Sequence, residues 1–494
     1  MVRKSIGVIF GETTPLEFKF AVADSRATKR GGYVKVWHES NGWVLGQVVS
    51  MTKSSDAYSL DAAISVVSGV KIAESGGKVV AKVGIIGSRD EQGLLRPPKT
   101  PFNPGDNVYE ADRELIRSVL GLGEGDIYLG LLEGHDTPVY LDANKLVQKH
   151  CSILARSGSG KSYTAGVLIE ELLEQNVPLL IIDPHGEYVS LKHENSDRAQ
   201  QNLMKKFGIE PKGYASQVVV YTPANLTLNP EADKVFRLDG VNLSTRNIAL
   251  MLPTELSDTQ MGILHQAIKK VEEEKGLYTI DDIILAVGES RSKAKWSVIN
   301  SLEMLRETGI LSSTPTTIDE LVQSGTASII DMRGMPPDLQ SVVVARLCEN
   351  LFAARKAGKI PPAMLVVEEG HNFCPERGYG KAASTDILRT IASEGRKFGL
   401  GLTIISQRPA RIDKNVLSQC NTQIIMKVTN PNDIQAIGKS IEGFSSELEG
   451  DIKRLPPGVA LLVSNDIEYP VLVDVRIRRS LHGGRSIRIV GRGA

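Results

Sequence analysis

A loop of small residues in the middle of the chain has the composition of a phosphate-binding site. It follows the apolar run CSILA, where the common pattern has glycine in place of Ala155, and Gly160 precedes the helical segment KSYTAGVLIEELL. Backbone N–H groups of such a loop and of the helix N-terminus form a cradle for phosphate oxygens. Lys161 is expected to reach the β- and γ-phosphates, and the Ser162 hydroxyl to bind Mg²⁺. The residues predicted to bind the nucleotide here are Arg156, Ser157, Gly158, Ser159, Gly160, Lys161, Ser162 and Tyr163.

Two adjacent carboxylates, Glu368 and Glu369, end the apolar run AMLVV. Magnesium-dependent hydrolysis of a nucleotide needs one carboxylate near the metal and a second that orients or deprotonates the attacking water. We predict that Glu368 takes the metal role and Glu369 the role of the base, while the order of the two roles stays open. The alternative is a solvated acidic pair at a strand end, which the apolar run disfavours.

Three more polar positions follow predicted strands or helices. Asp183 ends the run LLIID, and strand ends on the carboxyl edge of an open parallel sheet point into the ligand crevice. Asp183 is therefore a candidate for catalysis through contacts with Mg²⁺ or water, and its alternative is a purely structural turn. Gln407 follows LTIIS and is predicted to sense the γ-phosphate or hold the lytic water. Arg396 ends a helical segment, where the helix dipole favours a cation, and is predicted to act as an arginine finger in a neighbouring subunit.

The elements that must position these residues follow from hydrophobic periodicity. Residues 1–100 carry short alternating apolar runs that predict a small β-barrel, and 101–146 form a connecting segment. In 147–470, apolar runs alternate with helical segments, which predicts a parallel sheet covered by helices on both faces. Residues 240–325 show 3.6-residue periodicity and form a helical insertion. Residues 471–494 are predicted to be a C-terminal strand and a basic tail. The fold class is α/β.

Composition excludes several classes of protein. The 494 residues contain 58 Lys and Arg against 58 Asp and Glu, which disfavours a histone-like polycation and an acidic tail protein. The four cysteines form no CxxC pair, which disfavours a zinc ribbon. The chain has neither a run of 18 apolar residues nor the apolar core of a signal peptide, which predicts a cytoplasmic protein without membrane contact.

Taken together, these motifs resemble the archaeal HerA helicase/translocase family, within the wider group of FtsK-type DNA pumps. The matching segments, in order along nearly the whole chain, are GVIFGETTPLEFKF, ARSGSGKS, LLIIDPHGEY, LVVEEGHNFCPE, SEGRKFG with LTIISQRP, and PGVALLVSNDIEYP. The resemblance implies a homohexameric ring of RecA-like domains that hydrolyses ATP with Mg²⁺ between subunits and drives double-stranded DNA through a central channel. It also implies an N-terminal barrel of the HAS type, and work with a NurA-type nuclease in end resection and double-strand-break repair.

The same resemblance suggests further site residues. Lys149, just before the phosphate loop, is expected to touch phosphate from the neighbouring subunit, and Tyr469 in the C-terminal hairpin to stack on adenine. A motor that binds DNA without sequence preference needs contacts to its backbone. The loop CPERGYGKAAST contains Arg377, Tyr379 and Lys381, and we predict that it is a pore loop. The alternatives are simple packing for Tyr469 and a flexible surface loop for the last three.

Two other functions share part of this pattern. One is a ring ATPase that acts on protein substrates, or a rotary-type ATPase subunit, and an exposed aromatic-hydrophobic pair in the pore loop would favour a protein substrate. The other is a monomeric small-molecule kinase or signalling NTPase. The latter uses no residue from a neighbouring subunit, so its ATPase activity does not depend on protein concentration.

Overall fold

The chain folds as two compact units. The computed structural model describes residues 4–483, except positions 25, 27, 56–63, 65, 66, 68–76, 124, 224, 225, 253, 442, 443 and 466. The first unit comprises Met1–Glu124, Leu131–Tyr140 and Asn465–Val471, and the second comprises Gly125–Gly130, Leu141–Ser464 and Leu472–Ala494. Within the described ranges, no helix is long and apolar enough to cross a membrane.

Among the described residues, the first unit forms a closed barrel of six strands, and a seventh, β6, pairs with β5 outside the closed ring. The strands of this unit are β1 (Gly7–Phe10), β2 (Glu17–Val22), β3 (Tyr33–His38), β4 (Gly42–Ser54), β5 (Lys78–Arg89), β6 (Leu95–Arg96) and β7 (Asn107–Glu110). They are hydrogen-bonded in the order β2-β1-β7-β3-β4-β5-β6, and the pairing of β2 with β5 closes the barrel. In β2, Phe18 and Phe20 are buried while Lys19 between them is exposed, as the alternating sequence requires.

The barrel takes one of its strands from the segment that follows the first hundred residues. Strand β7 lies between β1 and β3, and without it the two would have no hydrogen-bonded neighbour on that side. Helix α1 (Arg113–Leu120) follows, and Asp112 caps it by accepting a hydrogen bond from the Leu115 N–H at 3.0 Å. The range 101–146 therefore holds regular structure, including a barrel strand.

The second unit is built on a twisted, mostly parallel sheet. Its strands are β8 (Ile127–Leu132), β10 (Cys151–Leu154), β11 (Leu179–Asp183), β12 (Val218–Thr222), β13 (Lys234–Val235), β16 (Ala327–Asp331), β17 (Ala363–Val367), β18 (Leu400–Ser406), β19 (Thr422–Ile425), β20 (Val459–Ser464) and β21 (Ile467–Val475). Strands β8 and β21 continue into residues of the first unit, and β9 (Pro138–Leu141) belongs to that unit except for Leu141. The order is β13-β12-β16-β11-β17-β18-β10-β19-β20-β21-β8. Every residue of β10, β11, β16, β17 and β18 is buried, as expected for strands covered on both faces.

Helices cover this sheet and form the insertion. The helices are α2 (Ala143–Lys149), α3 (Lys161–Glu174), α4 (Gln201–Phe207), α5 (Thr245–Met251), α6 (Asp258–Glu274), α7 (Ile280–Gly288), α8 (Lys295–Glu307), α9 (Ile318–Leu321), α10 (Pro337–Lys356), α11 (Thr385–Glu394), α12 (Lys414–Ser418), α13 (Pro431–Ser440) and α14 (Ser446–Arg454). Helices α5 to α8 make up the insertion, at whose base β14 (Leu238–Asp239) pairs with β15 (Leu311–Ser312). Helix α6 begins with a capping box formed by Ser257 and Gln260. The α/β fold class with a helical insertion is confirmed.

The C-terminal segment after β21 packs on the phosphate-loop helix α3 through buried charges. The Arg476 guanidinium contacts the carboxylates of Glu170 at 2.9 Å and Glu171 at 2.7 Å, and the side chains of Arg476, Arg478 and Glu170 are fully buried. Arg478 lies so close to the helix that a Cβ added at Gly166 would come within 2.7 Å of its Cζ. Half of the six arginines predicted to form a basic tail are therefore held close to α3. The other half, in 484–494, lies outside the described residues.

Removing the charge of Arg476 should destabilise the second unit strongly. In Arg476→Ala, two buried carboxylates lose the guanidinium that joins them, and Arg478 remains near Glu170 only, so we expect the free energy of unfolding to fall by about 3–5 kcal/mol. Chemical denaturation followed by circular dichroism measures this change. The control is Arg346→Ala, which breaks a surface pair with Glu349 at 2.9 Å and should cost less than about 1 kcal/mol. Equal losses in the two variants would contradict the assignment.

Candidate nucleotide site

The phosphate loop, the acidic pair, Asp183 and Gln407 meet at one edge of the parallel sheet. Strands β10, β18, β17 and β11 are neighbours, and their carboxyl ends lie side by side in the register. Leu154 is paired with Ser406, Val367 with Ile404, and Ile182 with Val367. The residues that follow these strand ends therefore share the crevice in which open α/β sheets bind ligands.

The loop before α3 has the geometry of a phosphate cradle. Gly158 and Gly160 have φ of 75° and 97°, a left-handed conformation in which glycine costs least. The loop is fixed to the sheet by the Arg156 N–H, which donates to the Lys427 carbonyl at 2.9 Å. Within the described chain, no side chain caps the N-terminus of α3, so its first N–H groups point into the loop. These groups and the helix dipole favour an anion at this position.

Lys161 binds both members of the acidic pair. Its ammonium donates to Glu368 Oε1 and, at 2.8 Å, to Glu369 Oε1, and all three side chains are almost entirely buried. Burial by itself disfavours the ammonium, but the two carboxylates outweigh that effect and hold the pKa of Lys161 above its usual range. Burial also raises the pKa of Glu368, an effect that Lys161 only partly offsets. Both glutamates therefore depend on one cation.

Glu369 has a strained backbone and a neighbour that the sequence alone did not identify. Its φ of 50° and ψ of 44° lie in the left-handed region, which is costly for a residue with a side chain. Its Oε2 is buried without a hydrogen bond and lies 3.2 Å from Nδ1 of His371. That nitrogen is also 3.0 Å from the Ser406 hydroxyl at the end of β18. His371 stands in the EEGHNF segment, two residues after Glu369, which was the only sequence signal for it.

The Asp183 side chain holds the turn that follows β11 by hydrogen bonds to its backbone. Its carboxylate accepts hydrogen bonds from the N–H groups of Gly186 at 2.8 Å and Tyr188 at 3.0 Å. Burial raises the pKa of this carboxyl to about 7, and the backbone donors counteract that rise in part. Both oxygens are therefore engaged by the turn. Tyr188 in turn donates a 2.5 Å hydrogen bond to Glu368, a contact that the sequence did not predict.

Two of the other predicted residues near the loop face different surroundings. Gln407 is half-buried and follows Ser406 directly at the carboxyl edge, beside the phosphate loop. The Tyr163 side chain points away from the cradle, because its hydroxyl accepts a 2.9 Å hydrogen bond from the Arg478 N–H. Only the backbone of Tyr163 contributes to the start of α3. Its aromatic ring packs against His482 instead, with the ring centroids 5.3 Å apart.

Lys149 and Arg396 lie together at the opposite edge of the sheet. Lys149 ends α2 just before β10, and Arg396 belongs to the short 3-10 helix that precedes β18. The four residues of strand β10 separate them from the phosphate loop by about 13 Å at the usual rise of about 3.3 Å per residue. With Lys397 they line a cavity of about 390 Å³. The structure therefore does not bring Lys149 or Arg396 to the phosphate loop of the same chain.

The remaining predicted residues lie outside this edge. Tyr469 belongs to the first unit, where it is close to Tyr33, whose pKa is raised by burial and also by the nearby Tyr469 and Glu133. Arg377, Tyr379 and Lys381 are exposed in the loop that joins the segment after Glu369 to α11.

The donor set at the carboxyl edge fits a magnesium nucleotide. Among the described residues, no group of three or more His, Cys, Asp or Glu side chains is arranged to hold a metal alone. Mg²⁺ is usually held by one or two carboxylates together with phosphate oxygens and water. The Ser162 hydroxyl beside the cradle, the Glu368 carboxylate and the unpartnered Oε2 of Glu369 are donors of this kind.

Comparison with known proteins finds relatives along nearly the whole chain. The family model described as "Helicase HerA, central domain" matches residues 127–351. A probable helicase of Methanocaldococcus jannaschii is 29% identical over 98% of this chain and 93% of its own length. The DNA double-strand break repair helicase HerA of Pyrococcus furiosus is 27% identical over 97% of this chain and 93% of its own. These matches support the resemblance of the chain to the HerA family.

A solved structure supports the fold of this chain. VirB4 of Thermoanaerobacter pseudethanolicus superposes with a TM-score of 0.51 at 15% identity, covering 72% of this chain and 96% of its own. At this identity the likeness concerns the fold alone. The second unit has the fold of a RecA-like P-loop domain.

His150 next to the Lys149–Arg396 cavity should make the protein sensitive to acid. Its ring is buried, its Nδ1 accepts the Leu402 N–H at 2.9 Å, and burial lowers its pKa to about 4. A depressed pKa stabilises the fold above the unfolded value of about 6.5, and that contribution is lost as the pH falls towards 4, by about 3 kcal/mol. The difference in unfolding free energy between wild type and His150→Gln should therefore shrink between pH 7.5 and 4.5. A difference that does not change with pH would contradict this.

Proposed function

We propose that this protein is an ATP-driven translocase or helicase of double-stranded DNA. In this proposal it works as a homohexamer with a NurA-type nuclease in end resection and double-strand-break repair. The observation that carries the hydrolase part is the contact of Lys161 with two buried carboxylates beside an uncapped helix N-terminus. The DNA part is supported by full-length relatives named as DNA double-strand break repair helicases.

In this proposal, hydrolysis begins when the nucleotide phosphates compete with Glu368 and Glu369 for the Lys161 ammonium. Phosphate oxygens in the cradle attract the ammonium that now contacts Glu368 and Glu369. As the ammonium turns to phosphate, Glu369 is released to accept a proton from the attacking water, which Gln407 orients. Ser162 and Glu368 would hold Mg²⁺, which would supply neutralisation of the phosphate charge. The strained backbone of Glu369 keeps its carboxylate at the strand end during this exchange.

The ring arrangement is supported by Lys149 and Arg396 at the amino edge. Two cations that share a cavity and lie a strand length from their own phosphate loop are available to the γ-phosphate of a neighbouring subunit. In this proposal Arg396 is the finger that neutralises charge in the transition state, and Lys149 a second contact to phosphate. ATP is then hydrolysed only between subunits.

DNA is proposed to contact the exposed loop of Arg377, Tyr379 and Lys381. This loop begins a few residues after Glu369 and is anchored by the Glu376 N–H, which donates to the Arg411 carbonyl at 2.8 Å. Nucleotide state is therefore transmitted over a short length of backbone. A ring needs positive potential only along its channel, so the neutral total charge does not oppose DNA binding. Tyr379, 53% exposed, is the feature that favours the second candidate, a ring that moves protein chains.

ATPase activity should depend on duplex DNA and on Lys161. We expect hydrolysis by wild type to rise when duplex DNA is added and this stimulation to fall with salt, because backbone contacts release counterions. Lys161→Ala should abolish hydrolysis. A phosphate-release assay run beside native mass spectrometry measures both rate and stoichiometry. Indifference to DNA at low salt, or stimulation by unfolded protein instead, would overturn the DNA assignment.

Mixing two inactive variants tests the role of Arg396 across subunits. Arg396→Ala and Glu369→Gln are each expected to be inactive as pure rings. In mixed rings some interfaces combine an intact Arg396 with an intact Glu369, so part of the hydrolysis should return. Mixing Lys161→Ala with Glu369→Gln is the control, because both changes lie on the same side of the interface and no activity should return. Mixed rings that stay inactive would exclude the finger.

A further inference from the structure

We propose that Tyr188 is a positioning residue for ATP hydrolysis, which it supports by fixing the orientation of the Glu368 carboxylate. This inference rests on the proposed ATPase function. Tyr188 belongs to the DPHGEY segment, and none of the predicted roles includes it. It would act through Glu368 and not by touching the nucleotide.

The contact between the two side chains is short and isolated from water. The Tyr188 hydroxyl donates to Glu368 Oε2 at 2.5 Å, and both residues are fully buried. Glu368 Oε1 is bound by Lys161, so each oxygen of this carboxylate has its own donor. A buried carboxylate that loses a donor is costly and reorients towards another partner. The orientation of Glu368 is therefore fixed from two sides.

Tyr188 is itself fixed by the turn after β11. The Asp183 carboxylate accepts the Tyr188 N–H at 3.0 Å and the Gly186 N–H at 2.8 Å, which folds the chain back over the sheet edge. Strand β11 is the direct neighbour of β17, which ends immediately before Glu368. The turn thus places a hydroxyl at the position where the neighbouring strand delivers its carboxylate. Asp183 contributes to the site by holding Tyr188.

Nucleotide binding should affect the two hydrogen-bond donors of Glu368, Lys161 and Tyr188, differently. Lys161 is the group that phosphate attracts, so its contact with Glu368 weakens when nucleotide binds. The Tyr188 hydroxyl carries no charge that phosphate would attract, so the nucleotide does not compete with Glu368 for it. The Tyr188 hydroxyl is then the donor that keeps Glu368 aimed at the metal position. Losing it should impair the chemical step and the use of Mg²⁺, and leave nucleotide affinity nearly unchanged.

Tyr214 offers a control whose glutamate partner lies on α3. It is also fully buried, and its hydroxyl donates to Glu174 Oε1 at 2.9 Å. Glu174 is the last residue of α3, whereas Lys161 is the first. Both changes remove the hydroxyl of a buried tyrosine that donates to a glutamate, but Glu368 is buried at the site, whereas Glu174 is exposed at the far end of α3.

The experiment compares Tyr188→Phe and Tyr214→Phe in the full chain with duplex DNA present. Tyr188→Phe should lower kcat about tenfold or more, change KM for ATP less than about threefold, and raise the Mg²⁺ concentration for half-maximal rate several-fold. Tyr214→Phe should keep all three values near those of wild type. Melting curves and binding of a fluorescent ATP analogue without Mg²⁺ check that both variants fold.

Other outcomes separate this inference from the proposed function. A wild type without ATPase activity would overturn the proposed function, whereas an active wild type with an equally active Tyr188→Phe would overturn the role of Tyr188. An equal loss in both phenylalanine variants would show a merely structural effect. If Tyr188→Phe folds poorly, the weaker change Asp183→Asn, which loosens the turn, replaces it and should give the same split between kcat and KM. In a Glu368→Gln background, Tyr188→Phe should cause little further loss, because the partner is already altered.

Discussion

The contact of one ammonium with two buried carboxylates is the constraint on which the second unit depends. Glu368 and Glu369 are adjacent, buried and of like charge, so they remain together only because the Lys161 ammonium lies between them. Lys161 can take this position because the phosphate loop lies beside the end of strand β17. The same arrangement makes the site responsive to its ligand, because a nucleotide presents phosphate charges that compete for that ammonium. In the proposed function, structural stabilisation and catalysis use a single cation.

This site requires a helix that is open at one end and fixed at the other. The N-terminus of α3 lacks a side-chain cap, which leaves its N–H groups for an anion. Its C-terminal half is locked by Glu170 and Glu171, whose partners Arg476 and Arg478 come from the segment after the last strand. Buried ion pairs add little stability when compared with apolar packing, but they tolerate the loss of neither partner. The C-terminal segment therefore sets where the phosphate loop stands.

The sheet separates two sets of charges by the length of its strands. The carboxyl edge carries the cradle and the acidic pair, and the amino edge carries Lys149 and Arg396 around one cavity. In the proposed ring, these cations are available to the phosphates of a neighbouring subunit. Acidic and basic groups are therefore concentrated at different edges of the sheet, although the total charge of the protein is zero.

Local periodicity by itself determined the parallel sheet, the phosphate loop and the acidic pair, because strand, loop and helix are signalled by residues a few positions apart. It also placed Asp183 and Gln407 at the shared edge, since parallel strands end together. Tyr188 with Glu368, and Arg476 with Glu170, are separated by 180 and 306 positions. No sequence pattern links such pairs, so only the tertiary structure decided which donor each buried carboxylate receives. The physical reason is that a buried charge must be paired, while the partner is chosen by which strands and turns become neighbours.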